Sequence, residues 1–442
     1  MTLDGIGTFF QRDNTWWKEM PVFDNYISKT QALLQYGKPV SDIAVYTGDE
    51  MPRRSIMPER LTSTLPGLFS EKTLQEEATR KANVGQPIEV SPVGVTHTKN
   101  MTKADDWVNS LNGYRYDSFN HDVLNECKIE NGKLITKGGT IYSTLVVPQQ
   151  RPMNPNRIVT CWNTIDSISK LGVPVIKDVW TKSDLSSIGI QRDITLPEGI
   201  DFTHRHATDA DIYFLSNQSN EAKQFSPVFR DTRKYCYIVD AENDRIMEKG
   251  NDMEISLPSG NAVFYVFTDK EIPAQYLYQP KTTSEMMPLA NKSWHVTFET
   301  TGRTIEMTEL KDWTSFPDDD IRYYSGHAEY ETTFKYKKMP AKNEAVLLDL
   351  GKVENLATIY VNGKQCATAW RTPYVVDITE ALKKGENKLK IVVVNTWANA
   401  IQGSDEGKAP FKGIWTNAKY RRASKELLPA GLLGPVSITT CK

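Results

Sequence analysis

At Asp201 the hydrophobic period of this 442-residue chain changes, and the change demands at least two kinds of fold. Before it, short apolar runs alternate with helical stretches. Asp42–Tyr46, Tyr114–Phe119, Thr144–Pro148 and Val173–Ile176 read as strands, with helices near Lys103–Leu111, Asp122–Glu126 and Pro155–Lys170. Apolar strands separated by helices build a parallel sheet covered on both faces. After Asp201 the period is 2, in Ile212–Leu215, Ser226–Arg230, Tyr235–Val239 and Ala262–Phe267, with turn-rich stretches between them. That is the pattern of a small β-sandwich.

The flanks add two further regions. Residues 1–36 end in an amphipathic helix carrying Phe23, Tyr26, Ile27, Leu33 and Leu34, stopped by Gly37 and Pro39. Five prolines punctuate 47–100, which reads as an inserted excursion holding one polar helix, Lys72–Lys81. Gln279–Ser284 reads as a linker. Beyond it the chain is again all-β: Asn362-Gly363 accepts the positive φ of a type I′ hairpin, and Lys384–Asn387 turns the chain ahead of Leu389–Val394. A further hairpin, earlier in the chain, centres on Asn131-Gly132.

Charge and cysteine content narrow the functional classes. With 53 basic and 55 acidic side chains the net charge is −2, so no basic field addresses nucleic acid or an anionic membrane. The 5 cysteines are scattered, without a metal or disulfide spacing. No run approaches the ~18 apolar residues of a membrane span. Residues 1–7 lack the basic and apolar regions of a signal peptide. The chain starts directly on a Gly-rich, aromatic segment, which suggests the inside of a longer protein.

Two groups of motifs bring in a resemblance. Gly326–Phe334, Leu347–Val353, Ala357–Lys364, Trp370, Pro373-Tyr374, Asp377–Thr379 and Leu389–Asn399 resemble the jelly-roll sugar-binding domain of family-2-type glycoside hydrolases. Phe202–Asn217, with His204-Arg205 and Asp209-Ala-Asp-Ile-Tyr-Phe214, resembles a signature of glycoside hydrolase family 106, the α-L-rhamnosidases. Arg12-Asp-Asn-Thr-Trp-Trp17, Tyr26–Val40 and Leu432–Pro435 are similar to further stretches of that family. The resemblance implies a multidomain α/β plus all-β chain. It would comprise the tail of a (β/α)₈ catalytic barrel at 1–36, a flavodoxin- or amidotransferase-like α/β domain at 37–196, a β-sandwich at 197–280 and a galactose-binding-like jelly roll at 285–442.

The family further implies an inverting hydrolase, which needs two carboxyl groups roughly 6.5–9.5 Å apart, and a calcium ion near the sugar. Both carboxylates are expected in the barrel, upstream of Met1, because a barrel takes on the order of 250 residues. No catalytic residue or cofactor is therefore assigned within this chain. Expected partners are the missing N-terminal barrel and a rhamnose-containing polysaccharide or oligosaccharide. The expected setting, by resemblance, is periplasmic or extracellular. The alternative is a non-catalytic carbohydrate-binding or scaffolding protein.

Candidate sugar contacts are Arg12, Asn14, Trp16, Trp17 and His204. Indole faces stack on the C–H face of a sugar ring, and Arg and Asn hydrogen-bond its hydroxyls. In the last domain Trp370, Arg371, Tyr374, Trp397 and Asn399 are weaker candidates, with core packing as the alternative. Asp13 and Glu19 are further acids beside the Trp pair. His204 and His206 share one face if 202–206 is a strand, but no third metal ligand is visible. Asp318–Asp320 reads as a solvated turn. Cys161 falls inside a helix, so the α/β region lacks the nucleophile turn of an amidotransferase.

Overall fold

The computed structural model describes residues 10, 12–46, 58–82, 111–148, 155–248, 254–278, 283–290, 292–341, 344–415 and 426–441. The expected helix Lys103–Leu111 lies almost wholly outside them. The chain divides into two compact units. One comprises 1–27, 89–101 and 279–442, the other 28–88 and 102–278.

The second unit holds both fold types that the change of period demanded. Tyr116–Phe119, Ile43–Tyr46, Thr144–Val146 and Val175–Ile176 lie side by side, all parallel. Every residue of Ile43–Tyr46 is buried. Side chains alternate across a strand, so Ile43 and Val45 enter one cluster with Leu61, Leu65, Leu68 and Tyr114. Ala44 and Tyr46 enter another on the opposite face, with Leu124, Leu134, Ile165 and Ile168. This double burial is why the strand reads as a continuous apolar run. Helices Pro58–Thr64, Glu71–Ala82, His121–Glu126 and Pro155–Lys170 accompany the sheet. The tight hairpin before Lys133 has Asn131 and Gly132 at positive φ, 51° and 71°.

The antiparallel part is one main sheet ordered Lys38–Pro39, Ile200–His206, Ala210–Asn217, Ala262–Thr268, Tyr235–Asp240 and Arg245–Glu248. Phe202, Tyr213, Leu215, Ile238, Tyr265 and Phe267 fill one face. On the other, Leu33 and Leu34 of helix Met20–Leu34 pack against Ile212 and Phe264. The edge strand Lys38–Pro39, which the sequence places with the α/β domain, thus belongs to the antiparallel sheet. The expected strand Ser226–Arg230 shrinks to Val228–Phe229, paired with Ile194–Thr195. Arg230 lies just past the strand end; its N–H still donates to the Asp193 carbonyl, and its guanidinium meets three carboxylates, described below.

The first unit is a two-sheet jelly roll. Its larger sheet orders Arg303–Met307, Trp294–Phe298, His327–Tyr336, Gly385–Val394, Leu356–Val361 and Lys364–Ala369. The smaller orders Thr283–Pro288, Ser437–Cys441, Ala345–Asp349 and Val375–Asp377. Asn387, Leu389, Ile391 and Val393 are buried at every second position of their strand. They face a core that includes Trp294, Phe298, Trp313, Tyr330, Leu348 and Ile438. Inside that core the Trp313 indole N–H donates to the Tyr330 hydroxyl at 2.6 Å, which also accepts the Leu432 N–H. The strand before Val394 begins at Gly385, earlier than expected, because its ladder with His327–Tyr336 runs without a break to Tyr336.

Candidate functional site

The segment Arg12–Glu19 is laid against the jelly roll of its own unit. A short 3-10 turn, Trp17–Glu19, follows from Trp17 and Glu19 N–H groups donating to the Asn14 and Trp16 carbonyls. Two side chains pin it: the Thr15 hydroxyl donates to the Asn395 carbonyl, and the Trp397 indole N–H to the Asp13 carbonyl. Glu19 meets His327 Nε2 at 3.1 Å, and Glu299 stands 3.6 Å from the other ring nitrogen. Phe10 stacks on Phe23 and meets the edge of Trp16, while Phe23 and Tyr26 flank Trp370.

These contacts sort the sequence candidates. Arg12 is exposed, Asn14 and Trp16 are half-buried, and Trp17 is 40% exposed. The structure brings these four together on one short stretch. The jelly-roll candidates turn inward instead. The Tyr374 hydroxyl donates to the Asn355 carbonyl at 2.8 Å. Asn399 exchanges two hydrogen bonds with the Leu428 backbone. Trp397 packs edge-on against Phe411. The Arg371 guanidinium lies 5.7 Å from the Tyr26 and Trp370 rings. Tyr374 and Asn399 are buried, and Trp370, Arg371 and Trp397 are half-buried.

His204 lies in the other unit and is enclosed, 2% exposed. Strand Ile200–His206 alternates, so His204 and His206 share a face while Arg205 points away. His204 Nδ1 lies 3.1 and 3.2 Å from the two Asp193 oxygens, and Nε2 lies 3.4 Å from Asp211. Its ring stacks on Tyr213 at 3.9 Å. The Tyr213 hydroxyl donates to Asp193 at 3.0 Å and accepts from the Asp231 N–H. Arg230 reaches Asp42 at 2.7 Å, Asp231 at 3.1 Å and Asp193 at 3.4 Å. Asp211 also takes His206 and Arg233, at 2.6 and 2.7 Å. No polar atom of His204 is left to meet a sugar, which is a correction to its place among the candidate contacts.

The electrostatics follow the geometry. Burial alone would push the His204 imidazole down, but its hydrogen bonds to Asp193 and Asp211 outweigh that and raise it. Burial would raise Asp211, yet His204, Arg233 and His206 hold it well below the carboxylate range. Tyr213 is pushed up by burial and by the charges of Asp193 and Asp231. Asp42 is also raised, by burial, with Arg230 opposing.

The rest of the Phe202–Asn217 motif is structural as well. Arg205 donates to the Gln35, Tyr36 and Gly37 carbonyls, closing the C-terminal end of helix Met20–Leu34. Asp209 accepts from the Tyr36 hydroxyl at 2.7 Å. Asn217 is fully buried; its NH₂ group donates to the Glu221 and Leu257 carbonyls and its oxygen accepts from Ser219.

Among the described residues, Asp193, His204 and Asp231 place ligand atoms within 4.8 Å of one another. Calcium takes six to eight oxygens, and here a ring nitrogen and the Arg230 guanidinium fill the gaps between carboxylates. This set does not fit a calcium ion. Asp318–Asp320 does not either: Asp318 caps a helical turn through the Asp320 N–H and pairs with Arg303 at 2.6 Å. Asp42, Asp193, Arg230 and Arg233 carried no local sequence signal, because three other segments bring them to the His204 strand.

Comparison with known proteins places the two signature regions. Residues 1–79 match the family model for alpha-L-rhamnosidase, glycosyl hydrolase 106. Residues 307–426 match the glycosyl hydrolase 2 galactose-binding domain-like model. Both matches agree with the resemblance that the motifs suggested. A solved structure of a rhamnosidase from Novosphingobium sp. PP1Y is similar over 99% of this chain, with TM-score 0.68 and 24% identity. At that identity the likeness concerns the fold. A putative beta-glucuronidase from Formosa agariphila is 35% identical over 173 residues, 33% of this chain. The chain spans 42% of the solved rhamnosidase and 15% of the glucuronidase relative. Arg12–Trp17 lies inside the first matched segment and Trp370–Asn399 inside the second, whereas the His204 network, Asp42 apart, lies outside both.

Proposed function

We propose that this chain is the part of an inverting, α-L-rhamnosidase-like glycoside hydrolase that follows its (β/α)₈ catalytic barrel. The substrate class is a rhamnose-containing polysaccharide or oligosaccharide. The observation that carries the reading is the alpha-L-rhamnosidase match at 1–79 together with rhamnosidase-like fold over 99% of the chain. The chain's 42% share of that rhamnosidase leaves length for a barrel of about 250 residues elsewhere. On this reading both catalytic carboxyls, and the calcium ion, belong to the barrel. A periplasmic or extracellular setting goes with it.

Arg12, Asn14, Trp16 and Trp17 then form wall of the sugar site. Trp17 offers a ring face for stacking, and Arg12 and Asn14 offer hydrogen bonds to hydroxyls. Assay of an aryl α-L-rhamnoside tests this. The chain by itself gives no turnover, and the same chain joined to its barrel hydrolyses with inversion at the anomeric carbon. Turnover by this chain alone, lost in Asp13→Asn or Glu19→Gln, sinks the reading. In the joined enzyme, Trp17→Ala raises KM several-fold. A second reading, free-standing carbohydrate binding, is favoured by the galactose-binding-like match at 307–426. Calorimetric titration with rhamnose oligosaccharides separates the two, because only the second expects affinity without the barrel.

A further inference from the structure

The His204 assembly has no part in that proposed function, and its geometry contains a choice that a neutral imidazole cannot satisfy. One ring nitrogen faces Asp193 at 3.1 Å and the other faces Asp211 at 3.4 Å. A neutral ring has one N–H and one bare nitrogen. In either tautomer a lone pair would point at a carboxylate. The ring cannot turn away, because it is enclosed and stacked on Tyr213. Only the doubly protonated ring donates to both sides.

The surroundings favour that charge. From its own strand His206 faces Asp211; from the next strand come Asp211 and Tyr213. The segment before Ile194 supplies Asp193, and the segment after Phe229 supplies Arg230, Asp231 and Arg233. Asp42, just before strand Ile43–Tyr46, stands behind Arg230. Asp269 also pairs with Arg233, so five carboxylates meet two guanidiniums, and a positive imidazole reduces the excess.

Asp193 is also a junction. Its backbone N–H donates to Gly113, beside the parallel sheet, and its carbonyl accepts from Arg230. We propose that His204 is a proton-operated latch within this unit. As an imidazolium it joins the Asp193 segment to the antiparallel sheet, and loss of a ring proton releases that segment. The sign follows from the raised folded-state value. The stabilisation is complete below the ordinary histidine range of about 6.5 and fades as pH rises through the higher folded value.

The chain has 6 histidines, so ring-labelled histidine NMR resolves each titration. The expected result is that the enclosed His204 titrates above the ordinary histidine range of about 6.5, with amide exchange at 190–194 accelerating over the same pH range. Asp211→Asn should move that midpoint down. Urea unfolding gives a second readout: wild type loses up to one proton's worth of stability slope on the alkaline side, and His204→Gln lacks that slope. A His204 midpoint at or below the ordinary range overturns the latch. So does a resonance that shifts on adding micromolar zinc, which would make the cluster a cation site. If His204→Gln does not fold, the wild-type midpoint and exchange profile decide alone.

Discussion

The two signature segments of this chain use the same kinds of residue in opposite ways. Arg12–Trp17 keeps its arginine and one indole in the open and is fastened through backbone carbonyls and a threonine. Phe202–Asn217 spends its histidines, aspartates, tyrosine and asparagine on one another and on buried backbone. A motif rich in catalytic residue types is therefore no guide to a site until exposure is known. The first exposes an arginine and an indole, whereas the second buries His204 and pairs its exposed His206 with Asp211.

Substitutions can break this contrast. The largest expected loss of stability is Asp211→Ala, which takes one carboxylate from His204, His206 and Arg233 together. Removing one partner of a buried ion network costs about 3–5 kcal/mol, read as a drop in the urea midpoint. Asn217→Ala removes a fully buried amide, taking a donor from the Leu257 carbonyl and an acceptor from the Ser219 N–H, for about 1–3 kcal/mol. Arg205→Ala uncaps three carbonyls at a partly solvated helix end. It should cost about 0.5–1 kcal/mol, with faster amide exchange confined to the last turn before Gly37. Trp17→Ala should change stability by no more than about 0.5 kcal/mol. A loss at Trp17 as large as that at Asp211 would erase the distinction.

Local pattern carried much of the fold. Ile43–Tyr46 is legible because burial on both faces requires an unbroken apolar run, and Asn362-Gly363 because its turn needs positive φ, observed at 52° and 82°. The likeness of Arg12–Trp17 and of the jelly roll to glycoside hydrolases was legible from motif order. What escaped was everything set by topology. Lys38–Pro39 reads as the approach to an α/β strand, yet it edges the antiparallel sheet through a register with Arg205 and His206. The ionic network joins Asp42, Asp193, His204, Asp211 and Arg230 from separate elements, and no spacing in the sequence announces it. His204 was singled out by its motif, but its burial, which decides its role, comes from neighbours far along the chain.

The order of the smaller jelly-roll sheet bears on how this protein is made. Strand Ser437–Cys441 lies between Thr283–Pro288 and Ala345–Asp349. Both neighbours leave the ribosome first. Ala345–Asp349 then waits roughly 90 residues for its mate, or about 5–18 s at 5–20 residues per second. Over that interval its ladder edge stands open to other nascent chains. Slower translation between 350 and 436 lengthens that wait.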